Sequence, residues 1–289
     1  MYERILMPTD GSDVAAAAAE AALGLAARFD ATLHVVHVNE LGELPPGAED
    51  DDASALATGA RAAIRDVERE ARDAGLTVET AIVEAGSSIH EALVTYARRH
   101  DVDCLVMGTH GRSGVDRLVF GSVAERTVRD APVPVLTVHA DSVLDPSLPS
   151  ILVPTDGSDC ARAAVDHAIG LADVTGATLH LLHAVDPATV YGDVGAVGFL
   201  DSLEEAGADL LADLRAEADD AGLDVETTVT QGTPYRAITD YADEHDVGCI
   251  AMGTHGRTGV QRYLLGSVTS RVIRLSETPV LAVPGVRDD

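Results

Sequence analysis

Two stretches of this chain share a length and almost a wording: GTHGRSGVDRLVFGS from Gly108 to Ser122, and GTHGRTGVQRYLLGS from Gly253 to Ser267. Gly108, Gly111 and Gly114 permit positive φ and close approach of the backbone to a ligand. Successive N–H groups in such a loop form an anion nest, and a helix opening at Gly121-Ser122 or Gly266-Ser267 adds unpaired donors at its N-terminus. A phosphate chain suits both features. A tight strand-to-helix connection would use the same glycines; the second copy at matching spacing weighs against that plainer reading, although shared descent alone preserves spacing too.

Neither loop contains lysine, and nor does the rest of the chain, whose 20 basic residues are all arginine. A P-loop needs GxxxxGK[ST], with the lysine on the terminal phosphates. The SGGxDS run of pyrophosphatases and the His-x-Gly-His of adenylyl-transferring enzymes are absent as well. Backbone nests bind substrate and transition state about equally, and uniform binding does not accelerate chemistry. These loops are therefore suited to holding a phosphate ester more than to cleaving it. Arg112, Arg117, Arg257 and Arg262 can neutralise phosphate, though arginines on an acidic surface are expected anyway. His110 and His255 can serve as general bases, but neither has an acidic partner in sequence, so packing within the loop is the plainer role.

PTDGSD, at Pro8 to Asp13 and again at Pro154 to Asp159, puts Asp10 and Asp156 at the end of an apolar run. His34 and His37, repeated as His180 and His183, are three apart in strand-like segments and so point to opposite faces; they read as core histidines and not as joint metal ligands. Cys104, Cys160 and Cys249 form no CxxC arrangement, so neither a disulfide framework nor a zinc site is expected. Cys104 and Cys249 sit inside apolar runs, as small buried hydrophobes do.

The elements that carry these residues follow from periodicity. Arg4 to Pro8, Thr32 to Val38, Thr77 to Glu84, Cys104 to Gly108 and Val133 to His139 read as strands, nearly continuous in apolar character as in a parallel sheet covered on both faces. SALATGARAAIRDVEREARDAG places Leu56, Ala60, Ile64, Val67, Ala71 and Ala74 on one helical stripe that Gly75 ends. Alternating strands and helices predict a doubly wound α/β domain of about five strands. Ligands bind such sheets beyond the carboxyl ends of the strands, where strand order reverses; if the first and fourth strands are neighbours, PTDGSD and the glycine loop face one crevice. Pro132, Pro134 and Pro279 mark the last strand of each copy as an edge.

The whole pattern occurs twice. ILMPTDGSD at Ile5 to Asp13 returns at Ile151 to Asp159 as ILVPTDGSD, and ATLHVVHV from Ala31 returns from Ala177 as ATLHLLHA. Two copies of one domain are expected over residues 1–140 and 150–289, with 141–149 as a linker. Hydrophobic residues make up 46% of the 289, enough to give each copy a core. A net charge of −28 repels nucleic acid and anionic membranes. Acidic, lysine-free surfaces of this kind keep proteins soluble in high salt, and self-repulsion should make folding salt-dependent. No apolar run approaches the roughly 18 residues of a membrane span, and the opening residues show no signal-peptide pattern; a cytoplasmic location is expected.

Gly-x2-Gly-x9-Gly-Ser, read at Gly108, Gly111, Gly121 and Ser122 and again at Gly253, Gly256, Gly266 and Ser267, is similar to the ATP-binding signature of the universal stress protein family. PTDGSD after the first strand resembles that family's opening, and the likeness covers nearly the whole chain as a tandem pair. It implies two doubly wound domains, each a five-stranded parallel sheet flanked by helices, of the adenine nucleotide alpha hydrolase-like type. It also implies that Asp10 and Asp156 lie near ribose and adenine and that backbone at Val38 and Ala184 meets the adenine edge. The named glycines, with Ser122 and Ser267, would hold the phosphates of ATP, usually with Mg2+. Ala184 in place of Val38, and Ser270 in place of Glu125, leave the equivalence of the two sites open. The last strands of the two domains are expected to pair within one chain as a pseudo-dimer, which hides two sheet edges; association of whole chains is a further option. The expected function is an ATP-binding stress-response or regulatory protein, with a slow ATP-hydrolysing enzyme as the alternative.

Overall fold

A computed structural model describes residues 1–39, 50–111, 120–190, 196–256 and 264–285. The chain divides into two units, Tyr2–Pro146 and Ser147–Asp289, the latter also taking Met1. The division falls inside the expected linker because its first part packs on the first unit: a Cβ at Gly24 would lie 2.5 Å from Pro146 Cγ, and Leu144 is buried.

In the first unit β1 (Arg4–Pro8), α1 (Asp13–Phe29), β2 (Thr32–Asn39), α2 (Asp50–Asp73), β3 (Val78–Glu84), α3 (Ile89–Arg99), β4 (Cys104–Gly108), α4 (Ser122–Asp130) and β5 (Val135–Val138) follow in turn. All strand pairs are parallel, in the order β3-β2-β1-β4-β5. The second unit repeats this with β6 (Ser150–Pro154), α5 (Asp159–Thr175), β7 (Thr178–Val185), a short 3-10 turn, α6 (Ala196–Asp220), β8 (Val225–Gln231), α7 (Pro234–Glu244), β9 (Cys249–Gly253), α8 (Ser267–Leu275) and β10 (Val280–Val283). Its order is β8-β7-β6-β9-β10, again parallel.

The central strands are buried on both faces: Ile5, Leu6 and Met7 of β1 and Cys104, Leu105 and Val106 of β4 are out of contact with solvent. β3 is not, since it ends the order and has no fully buried position, with Glu79, Thr80, Ile82 and Glu84 exposed. The last strand is shorter than expected, 135–138, because Pro132 and Pro134 have no N–H for a ladder. Pro134 still accepts from Leu105 N at 3.0 Å, as Pro279 does from Ile250 N. On α2, Ile64, Val67 and Ala71 are buried. Ala74 is exposed, contrary to expectation, because the helix has ended at Asp73 and the chain turns at Gly75 (φ +76°). The side chains of Leu56 and Ala60 lie outside the described ones. No helix among the described residues is long and apolar enough to cross a membrane.

Candidate functional site

β1 has β2 on one side and β4 on the other, so strand order reverses there and the segments leaving β1 and β4 open on a common crevice. β6 and β9 do the same in the second unit. After β1 the chain makes a side-chain-braced turn. Thr9 Oγ1 accepts from Gly11 N at 3.2 Å, and Asp10 Oδ1 accepts from Ser12 N at 3.0 Å and Ser12 Oγ at 2.6 Å. Ser12 Oγ in turn caps α1 by accepting from Ala15 N at 3.2 Å. Gly11 takes φ +76°, which a β-carbon would strain. The second unit repeats the turn with Thr155, Asp156, Gly157 (φ +77°) and Ser158. These left-handed glycines sit one residue after the aspartates; the Asp-Gly pair was a legible turn signal.

The loop glycines have a different reason from the one expected. Neither Gly108 nor Gly111 occupies the left-handed region. Each is glycine because another part of the chain comes too close. A Cβ at Gly108 would lie 2.5 Å from Val14 Cγ1, one at Gly111 2.6 Å from Asp10 Oδ2, and one at Gly121 3.1 Å from His110 Cα. In the second unit Gly253 meets the Cys160 carbonyl oxygen at 2.6 Å, Gly256 meets Asp156 Oδ2 at 2.8 Å and Gly266 meets Thr254 O at 3.0 Å. The loop is thus folded back onto the aspartate turn, and Gly111 and Gly256 lie directly against its carboxylate. Gly114, Arg112, Arg117, Arg257 and Arg262 lie outside the described residues.

Gly121 N donates to Thr109 O at 2.8 Å and Gly266 N to Thr254 O at 2.8 Å, which closes each loop and aims the following helix at the crevice. Unlike α1 and α5, helices α4 and α8 have no side chain capping their first turn. Their N–H groups therefore present positive dipole ends to whatever fills the cavity. Asp10, Val38, Gly108, Gly111, Gly121 and Ser122 all line one cavity of about 470 Å3. Asp156, Ala184, Gly253, Gly256, Gly266 and Ser267 all line one of about 620 Å3. Both fall in the ordinary range of small-molecule sites, about 300–1,000 Å3. Apolar walls complete them, from Ile89, Leu93 and Met107 in the first unit and Leu182, Ile238 and Met252 in the second.

The cavity histidines are oriented by neutral oxygens. His110 Nδ1 is 3.2 Å from Thr109 Oγ1, and His255 Nδ1 is 2.9 Å from Thr254 Oγ1. Burial lowers the His255 pKa, partly offset by the Leu264 backbone, so that ring is neutral at pH 7. His37 lines the first cavity, which its position in sequence did not reveal. Its Nδ1 lies 2.8 Å from Thr9 O, and a carbonyl can only accept, so Nδ1 carries a proton and donates it there. His183 makes the same bond to Thr155 O at 2.9 Å. His34 and His180 point the other way, to the hydroxyls of Tyr96 and Tyr241. The two units differ at the helix after the loop: Thr269 donates to Gly253 O at 2.7 Å, where the first unit has Ala124.

The sequence model of the Universal stress protein family matches residues 1–139 and again 148–284. A universal stress protein of Methanocaldococcus jannaschii is 36% identical over 137 residues, 46% of this chain and 80% of that protein. One from Mycolicibacterium smegmatis is 32% identical over 215 residues, 72% of this chain and 69% of that protein. Among solved structures, a universal stress protein from Archaeoglobus fulgidus superposes with a TM-score of 0.72 at 26% identity, covering 97% of this chain and 98% of that one. With its fold repeated in both halves and a family match to each, the chain belongs to the universal stress protein family, as a tandem two-domain member.

Proposed function

We propose that each unit binds one adenine nucleotide, and that the protein acts as an ATP-binding stress-response or regulatory module. One observation carries this reading: in both units an uncapped helix N-terminus, a loop folded against an aspartate and an apolar wall converge on a single cavity at the strand-order reversal. Phosphates belong at the first turns of α4 and α8, with Ser122 and Ser267 as hydroxyl donors. Adenine belongs against the apolar wall where β2 and β7 end, at Val38 and Ala184. The ribose belongs beside Asp10 and Asp156. Among the described lining residues these two are the only carboxylates of their cavities. Mg2+ suits this arrangement as a phosphate-held ion with at most one protein carboxylate, the usual way it is bound beside nucleotides.

Uncapped amides and hydroxyls stabilise bound phosphate without strengthening selectively in a transition state, so the reading is of retention and at most slow hydrolysis. A high-salt setting belongs to the same proposal and rests on the net charge of −28, with a cytoplasmic location beside it. Mass spectrometry of nucleotide retained through purification in molar salt tests the reading, followed by calorimetric titration of the stripped protein with ATP, ADP and AMP. Two sites per chain are expected; one or none overturns it.

A further inference from the structure

We propose that His34, Glu79 and His100 form a binding site for a divalent transition-metal ion of the zinc class, on the first unit and away from its nucleotide cavity. His34 and Glu79 are register partners across β2 and β3, which puts their side chains on one face of the sheet. His34 Nδ1 and Glu79 Oε2 are 3.6 Å apart. His100 follows the last residue of α3 as its C-cap, and one ligand atom from each of the three residues lies within 4.8 Å of the others. Two imidazoles and a carboxylate are the donor set of three-ligand zinc sites and of related borderline metals, with positions left for water.

The neighbours hold the group in place. The His100 ring stacks on Tyr96, centroids 3.9 Å apart at 15°, and the Tyr96 hydroxyl is 3.2 Å from His34 Nδ1. His34 is buried to 3% exposure, and Glu79 and the Tyr96 hydroxyl both face its Nδ1. Glu79 and His100 are exposed, so an ion can draw them in. Ligand atoms on one tetrahedral zinc ion stand about 3.3 Å apart, as bonds of about 2.0–2.1 Å require, and exposed side chains cover the remaining ångström or so by rotation. The carbonyl end of α3 favours a cation there as well.

The second unit supplies an internal contrast. His180, Glu226, Tyr241 and His245 repeat the residue types, with His180 Nδ1 3.6 Å from Glu226 Oε2. There, however, His245 Nδ1 donates to its own helix, to Tyr241 O at 3.0 Å. Among the described residues only the first unit gathers three ligand atoms.

The test uses the full chain, stripped with chelator and free of nucleotide, in molar NaCl with excess Mg2+ to occupy non-specific carboxylates. Zn2+ is titrated by equilibrium dialysis, and Co2+ by its visible absorption. One Zn2+ per chain is expected, with affinity falling at least about 10-fold in His100→Ala and in Glu79→Gln, unchanged in His245→Ala, and with the Co2+ spectrum altered in Glu79→Gln. His100 and Glu79 are the variants of choice because both side chains are exposed and the fold survives their loss, which circular dichroism checks. Absence of stoichiometric binding, or binding indifferent to both variants, overturns the proposal. Loss on His245→Ala overturns its assignment to the first unit.

Discussion

Gly111 touches the candidate nucleotide site most directly, and Gly111→Ala probes it with a single carbon. The new Cβ would lie 2.6 Å from Asp10 Oδ2, well inside a normal carbon–oxygen contact. Two relaxations are open to the free protein. The carboxylate can turn, giving up bonds from Ser12 N and Ser12 Oγ at 3.0 and 2.6 Å. Alternatively the loop can withdraw, taking its amides away from the helix α4 N-terminus. A hydrogen bond to a charged group contributes about 1.5–3 kcal/mol. If nucleotide binding uses carboxylate and loop both in place, as proposed, what the free variant gains by relaxing is lost again on binding. At 1.4 kcal/mol per tenfold, the first site weakens about 10- to 100-fold. The second site is untouched, so calorimetry with ATP in molar salt should show a two-site parent become one strong and one weak site. Gly59→Ala, whose Cβ meets nothing within 4 Å, is the control; it should keep both affinities and gain up to about 1 kcal/mol of stability. A Gly111→Ala chain that binds two nucleotides with parental affinities refutes the reasoning.

Gly253→Ala should destabilise more than Gly108→Ala, by about 1–2 kcal/mol, because its Cβ meets the Cys160 backbone carbonyl at 2.6 Å, whereas at Gly108 the closest contact is a Val14 side-chain methyl at 2.5 Å with the Val14 backbone at 3.2 Å; urea midpoints decide, and the reverse order refutes it. His167 is pushed down to about 4 by burial. Below about pH 6.5 the unfolded chain therefore takes up a proton that the native state refuses, and stability falls until about pH 4, by up to roughly 3 kcal/mol. His167→Gln should flatten that part of the stability–pH curve relative to the parent, and parallel curves would show the ring contributes nothing. ATP turnover with Mg2+ should stay far below a typical kcat of about 10 per second. Turnover at ordinary enzyme rates that collapses in the His110→Ala and His255→Ala double variant would replace the binding module with an enzyme.

Much of this architecture follows from local chemistry. Apolar runs such as ILM and CLVM read as buried strands because they are short and alternate with helical patterns, and the repeat of PTDGSD at an offset of 146 and of GTHGR at 145 reveals two domains before any coordinates. Of the six positions singled out in each copy, the three glycines and the serine stand out by their spacing within the loop, whereas Val38 and Ala184, and the nucleotide-side roles of Asp10 and Asp156, follow only from the resemblance to the family. The reason for the glycines cannot be read from spacing. Gly111 is glycine on account of Asp10, a residue a hundred positions earlier, and Gly108 on account of Val14; only the adjacency of β1 and β4 creates those contacts. The exposure of Ile82 on β3 is likewise a consequence of the strand's place at the end of the order, beside its polar Glu79, Thr80 and Glu84. His37 reaches the cavity, and His34 meets Glu79 and His100, because parallel register and helix placement bring together atoms from separate elements. Local sequence sets backbone preference and burial tendency; which side chains meet across the sheet is a long-range property that tertiary packing alone decides.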